Sequence, residues 1–201
     1  MQRSEISNLI LSKLGEEDGL TDPDETGKAA RSINAVWNSV RDTVLRVHLW
    51  NFATARTQMT PLSAAPSHGF SYAYALPTDF LRLDLAKLLP RNVRTDFQLE
   101  GSRRLLTNDA GPVDLVYIRR VEAEGDWDPL FVEAFASRLA WQIALKVTGD
   151  RQIKREAWQE YTVALREAKG VDGQENPAEP PLDSSWITAR EDGGPVYQAG
   201  W

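Results

Sequence analysis

Residues 130–147 constrain this chain more than any other stretch. Phe131, Val132, Phe135, Leu139, Trp141, Ile143, Leu145 and Val147 leave a helix here almost no polar face. A helix that is apolar nearly all round has to lie inside the molecule or between neighbours. Asp128-Pro129 marks its start, as a cap followed by proline at the first helical position. Gly149 stops it, and Asp150 caps whatever follows. The rest of the chain must supply cover.

Amphipathic segments stand on both sides of it. Ser4 can cap a short helix to about Leu14, with Ile6, Leu9 and Ile10 on one face and Gly15 at its end. Asp22, Pro23 and Glu25 then read as cap, first helical residue and capping box. The helix they open is expected to reach about Trp50, with Ile33, Trp37, Val40, Val44 and Val47 as its stripe. Downstream, Ile153, Ala157, Tyr161, Leu165 and Ala168 form another stripe, which Gly170 is expected to end.

Between them the period drops to two. Phe70, Tyr72, Tyr74 and Leu76 alternate with small residues, and residues 54–60 offer a partner strand. Pro77 stops the strand, and Thr78 or Asp79 is expected to cap a short turn through Leu89. Phe97 and Leu99, then Leu105–Thr107, then Val113–Val121 read as further strands, separated by Gly101-Ser102 and by Asn108 to Gly111. Together they predict a small antiparallel meander.

Composition excludes several classes. A chain of 201 residues and 22.5 kDa suggests one domain. Its Lys and Arg, 23, against 29 Asp and Glu give a net charge of −6, the wrong sign for a DNA reader that gains affinity from phosphates. Both ends are acidic: Glu16, Glu17, Asp18, Asp22, Asp24 and Glu25 crowd one, and Asp172, Glu175, Glu179, Asp183, Glu191 and Asp192 the other. With no Cys there is no disulfide scaffold, zinc finger, iron–sulfur cluster or thiol nucleophile. His48 and His68 are the only histidines, which rules out a His-rich metal site. No apolar run approaches the roughly 20 residues of a membrane span, and the first residues lack a secretory signal pattern. The expectation is a soluble protein made in the cytosol.

Motifs for chemistry are missing. There is no Walker loop, G-x-G-x-x-G, G-x-S-x-G or H-E-x-x-H. Glu122, Glu124, Asp126 and Asp128 are dense enough to hold a divalent cation or to work as an acid/base pair, but a solvated linker with a helix cap accounts for them. The acidic 16–25 loop lacks the order of a calcium loop. His48, near a helix end, reads as structural or as a helix-end cation, and His68 as an exposed loop residue. Arg103-Arg104 and Arg119-Arg120 could meet phosphate, a neighbouring subunit or a tail component. Adjacent strand residues point to opposite faces, so neither doublet makes one patch, and a solvated or ion-paired role is the first reading. Trp37, Trp141, Trp158 and Tyr161 fall at helical spacing and are expected to pack in the core. No catalytic, cofactor-binding or metal-binding residue is assigned, and no cofactor is expected.

Residues 171–201 have no period and are rich in Pro, Gly and acid, yet carry Trp186, Ile187, Tyr197 and Trp201. Exposed aromatics are typical of binding anchors. Burying one is worth roughly 4–6 kcal/mol gross. Ordering each backbone residue costs about 1–2 kcal/mol, so three anchors cannot order the whole segment unaided. The expectation is an extended tail that docks on a partner through these four residues.

The order of elements resembles the head-to-tail adaptor proteins of tailed bacteriophages, also called tail tubular protein A. The likeness is carried by Leu49-Trp50-Asn51-Phe52-Ala53, by Tyr72 through Leu76-Pro77-Thr78-Asp79-Phe80-Leu81-Arg82, by Glu100-Gly101 through Leu105-Leu106-Thr107-Asn108, by Val116-Tyr117-Ile118-Arg119 and by Asp128 through Ala134. It covers about residues 4–170. It implies a mainly α fold: an antiparallel helical bundle over residues 1–170, with a small antiparallel β insertion at about 54–121; the extended tail at 171–201 is matched by no motif of the family and rests on its composition. It also implies a structural virion protein at the head–tail interface and no enzyme. Such adaptors form a ring, usually dodecameric, under the portal protein, extend the DNA channel and dock the next tail or stopper protein. Genome DNA would pass through the lumen without specific binding, which suits an acidic chain. In some relatives a C-terminal extension runs along the portal, and the tail aromatics fit that use. Two other classes compete. A small terminase-like, ring-forming DNA-recognition subunit needs a helix–turn–helix with a basic recognition helix, and the acidic loop between the first two helices argues against it. A peptidoglycan hydrolase needs a carboxylate pair in a pocket, and no pocket motif accompanies Glu122 and Glu124.

Overall fold

Asp128 caps the central helix as its sequence dictates: its Oδ1 accepts from the amides of Leu130 (2.8 Å) and Phe131 (3.1 Å). That helix, α3 (Pro129–Val147), carries the fully buried Phe131, Ala134, Phe135, Leu139, Ala140 and Ala144. In the computed structural model, residues 1–16, 19, 20, 22, 26–84, 96–101 and 103–175 are described. Around α3 pack α1 (Arg3–Ser12), α2 (Lys28–Arg46) and α4 (Arg151–Glu175). Trp37 meets Phe135 edge-on at 4.8 Å, and Trp127 meets both Phe131 and Phe135, so the centre of this core is aromatic.

The helix ends differ from expectation in four places. α1 is capped at Gln2, whose amide donates to the Glu5 carboxylate at 2.7 Å, rather than at Ser4. α2 starts at Lys28 with Gly27 as its cap, where burial begins at Ala30; Pro23 and Glu25 of the expected capping box lie outside the described residues. It stops at Arg46 because Trp50 folds back, its indole Nε1 donating to the Val44 carbonyl at 3.0 Å. That carbonyl, in the last turn, also accepts from the Val47 amide at 3.3 Å. The stripe Ile33, Trp37, Val40 and Val44 is buried, while Val47 is exposed beyond the end. α4 takes Asp150 as cap, whose Oδ1 accepts from the Gln152 amide at 2.6 Å, then runs straight through Gly170 and Gly173.

The expected fold class is overturned. Of the described residues about 50% are helical and 19% are strand, in four helices and two three-stranded antiparallel sheets, so the fold is mixed α and β and not a mainly α bundle. The strands are β1 (Thr54–Met59), β2 (Tyr72–Ala75), β3 (Phe80–Leu83), β4 (Phe97–Glu100), β5 (Arg104–Thr107) and β6 (Val113–Arg119). One sheet has the order β1-β6-β3 and the other β2-β5-β4. This is no meander: β1 pairs with β6, from Thr54↔Ile118 to Met59↔Val113, and not with β2. α2 leads into β1 and β6 leads out to α3, so their pairing closes the β region at its base.

Packing explains why the sheets are more than an insertion. Val113, Leu115 and Tyr117 on one face of β6 join Met59, Tyr74, Leu83 and Leu105 in a second core shared by both sheets. Ile118, on the other face, joins the helical core. β3 stands where a capped turn was expected. A bulge between Phe80 and Arg82 sends Leu81 into the helical core while Leu83 enters the sheet core.

A candidate docking face on the last two helices

The turn at Gly149 folds α4 back along α3 and brings two short helix faces together. Gly149 has φ +74°, the left-handed conformation that ends α3 without penalty for a residue lacking Cβ. Arg138, Trp141 and Leu145 recur every three or four residues on α3, and Arg151, Lys154, Arg155 and Trp158 do so on α4. Trp141, Leu145, Arg151, Lys154, Arg155 and Trp158 line a shallow groove.

Trp141 and Trp158 of this groove also belong to an aromatic cluster around a cation. Trp141 and Trp158 have ring centroids 5.0 Å apart, and Trp158 and Tyr161 lie 5.4 Å apart. The guanidinium of Arg138 sits 4.2 Å from the Trp141 ring centre and 5.5 Å from those of Trp158 and Tyr161. Its Nε and one terminal nitrogen are buried with no hydrogen-bond acceptor among the described residues. The rings' negative faces compensate part of its charge. Lys154 adds a second cation, its ammonium 5.0 Å from the Trp141 ring centre. Burial pushes the Tyr161 hydroxyl's pKa up, and the Arg138 charge pulls it partly back. The rim is open: Trp158 is 42% exposed and Leu145 45%.

The other flank of α4 has the opposite character. Glu133, Glu160 and Glu167 surround a shallow depression with Val163, which is 62% exposed. Lys13 is tied there to Glu133, with Glu160 at 3.6 Å.

The residues singled out from sequence land in scattered places. Arg103 and Arg104 are exposed at the β4–β5 hairpin, where Arg104 reaches Glu100 only at 3.8 Å. Arg119 and Arg120 lie at the far end of the other sheet, half-buried. Arg120 is held by Asp42, at 3.0 Å from Nε and 2.9 Å from a terminal nitrogen, and Asp42 also accepts from Arg41 at 3.0 Å. Its first partner is thus internal. Trp186, Ile187, Tyr197 and Trp201 lie outside the described residues. Asp128 is a helix cap, and among the described residues no group of three or more His, Asp or Glu is placed to hold a metal ion. Nor, among them, is any helix long and apolar enough to cross a membrane.

Sequence reasoning placed Trp141 and Trp158 in the core and overlooked Arg138, Arg151, Lys154 and Arg155. One signal was available. Trp158 follows Ala157 of the buried stripe and so stands about 100° off that stripe on a helix. Trp37 and Tyr161 are buried as expected, Trp141 is half-buried and Trp158 is exposed. An exposed Trp158 beside a half-buried Trp141, rimmed by cations, can grip an apolar side chain flanked by carboxylates. It offers no nucleophile and base in contact. No protein-family model matches this chain, and no curated protein matches it.

Proposed function

We propose that this chain is a structural virion protein, a head-to-tail adaptor that joins copies of itself in a ring under a phage portal, extends the DNA channel and docks the next tail component. Two things support the reading: the ordered motifs from Leu49 to Ala134, and a surface built for contact with protein. The single observation that carries it furthest is the exposed Trp141–Trp158 groove with its Arg151, Lys154 and Arg155 rim. Aromatic and Arg side chains supply most of the energy at protein interfaces. In this reading Trp186, Ile187, Tyr197 and Trp201 anchor the C-terminal segment on the portal. The site of action is the head–tail interface of the virion, reached after synthesis in the host cytoplasm.

The test is electron microscopy of the cognate portal ring mixed with the full-length chain, native and with Trp186→Ala and Trp201→Ala together. A second ring stacked under the portal is expected with the native chain, and its loss in the double variant would assign the aromatics to the portal contact. No added density with either chain would refute the adaptor reading. A mobility shift of duplex DNA at physiological salt would then favour the packaging subunit.

A further inference from the structure

The groove and the acidic depression occupy opposite flanks of one helix. At about 100° per residue, Arg151, Lys154, Arg155 and Trp158 centre roughly 180° around α4 from Glu160, Val163, Ala164 and Glu167. The buried stripe of Ala157, Tyr161 and Ala168 lies between the two sets. One flank borders an exposed and a half-buried aromatic, Trp158 and Trp141, and carries a cationic rim. The other offers an exposed apolar side chain among carboxylates. Each is the chemical complement of the other.

Complementary patches facing opposite ways on one molecule make a heterologous, head-to-tail contact, which repeats into a ring when its rotation closes. The more copies a ring holds, the nearer its two docking faces must come to direct opposition. From this we propose that the groove receives the acidic flank of α4 from a second copy of this chain. Val163 of that copy seats against Leu145 and Trp158, and its Glu160 and Glu167 meet Arg151, Lys154 and Arg155. The inference rests on the adaptor reading for the closed ring, but the contact itself stands on the charge and shape of these two faces. Lys13 sits between Glu133 and, at 3.6 Å, Glu160 of its own chain; one ammonium against Glu133, Glu160 and Glu167 leaves the flank acidic.

The absence of cysteine makes the test clean. Single-cysteine chains Leu145→Cys and Val163→Cys, both at exposed positions, are mixed and treated with a short bismaleimide, with and without the cognate portal ring. A cross-linked dimer is expected from the mixture and from neither chain alone. Arg155→Glu on the Leu145→Cys chain should lower the yield about tenfold, and Glu160→Arg on the Val163→Cys chain should restore it. Self-linking of Leu145→Cys would mean a symmetric face-to-face dimer and would overturn the proposal. So would linking of Leu145→Cys to Trp186→Cys in place of Val163→Cys, which would make the C-terminal segment the occupant. No link in either condition would overturn it as well. A stacked ring under the portal without the cross-link would sink this interface and leave the adaptor reading standing. The cross-link without portal density would do the reverse.

Discussion

Nε2 of His48 lies 2.9 Å from Oδ2 of Asp172, joining residues 124 positions apart in the chain. The same carboxylate accepts from the Asn51 amide through Oδ1 at 2.9 Å, and the Asp172 carbonyl accepts from the Asn51 side chain at 2.7 Å. Asp172, 9% exposed, thus fastens the last turns of α4 to the junction between α2 and β1. Glycine in a helix interior costs about 0.5–1 kcal/mol. Three hydrogen bonds to a part-buried side chain and its backbone offset that cost at Gly170 and Gly173.

Asp172→Ala is therefore expected to destabilise the chain by about 1–3 kcal/mol, the cost of leaving the Asn51 amide and the His48 ring without their acceptor. Amide exchange should rise selectively at 171–175, while α3 stays protected. Urea denaturation gives the first quantity, and exchange followed by mass spectrometry gives the second. An unchanged midpoint would show that α4 holds its C-terminal turns without this tie.

Gly111 has φ +56°, and a Cβ there would stand 2.5 Å from the Tyr74 hydroxyl oxygen and 3.0 Å from its ring. Tyr74 cannot retreat easily, since it is fully buried and its hydroxyl donates to the Asp109 carbonyl at 2.8 Å. Gly111→Ala should cost about 2–3 kcal/mol from backbone strain and overpacking together. Adding Tyr74→Phe removes the closest clash, so the double variant should lose less than the two single losses summed. Strict additivity in a thermal or urea double-mutant cycle would contradict this contact.

Local chemistry made much of this legible in the sequence. Asp128-Pro129, Gly149 and Asp150 act within a few residues of themselves, so their roles as caps and stops can be read directly. The stripes of α2 and α4 follow from period alone. What failed depends on distant partners. β1 takes β6 across the whole β region, and nothing in Thr54–Met59 itself names that partner. Asp172 sits in an acidic, glycine-bearing stretch that resembles a tail, and its contacts with His48 and Asn51, which tie it to the α2–β1 junction, are not visible in that stretch. The docking face needs two helices in register: the period alone reads Trp158 as core, and its neighbours Arg138 and Trp141 come from α3.

Tyr117 gives the chain an alkaline limit. Its hydroxyl donates to Asp79 at 3.0 Å, and burial, with that bond and the carboxylate's charge, pushes its pKa up to about 12, against only a small opposing pull from Arg119. An ordinary tyrosine loses its proton near pH 10. The folded state therefore holds the proton more tightly than the unfolded state. The stabilisation is fully present below about pH 10 and is lost as pH rises from there through about 12. The full shift corresponds to about 2–3 kcal/mol. Tyr117→Phe should lower stability at neutral pH by about 1 kcal/mol, for the lost hydrogen bond. It should also flatten the alkaline decline. Parallel stability curves for the two proteins between pH 9 and 12 would refute the assignment.

Arg138 separates the stability of the chain from its docking. Two of its guanidinium nitrogens are buried without an acceptor among the described residues, and three aromatic rings surround the charge. Arg138 is half-buried, so removing its charge spares part of a desolvation cost and forfeits cation–π attraction of about 1–2 kcal/mol, two terms that nearly offset. Met has similar reach and packs well against aromatic rings. Arg138→Met is thus expected to leave the melting temperature unchanged or raise it. Arg138→Ala should lower it by about 1–3 kcal/mol in stability, since the shortened side chain opens a void under Trp141 and Trp158. Docking follows the opposite logic. Arg138 adds positive potential beneath a groove that is to receive carboxylates, so Arg138→Met should weaken self-association severalfold while the fold stays intact. Calorimetry reads the first effect, and the Leu145→Cys and Val163→Cys cross-linking yield reads the second. A chain destabilised by Arg138→Met but fully able to cross-link would show that the cage serves packing alone.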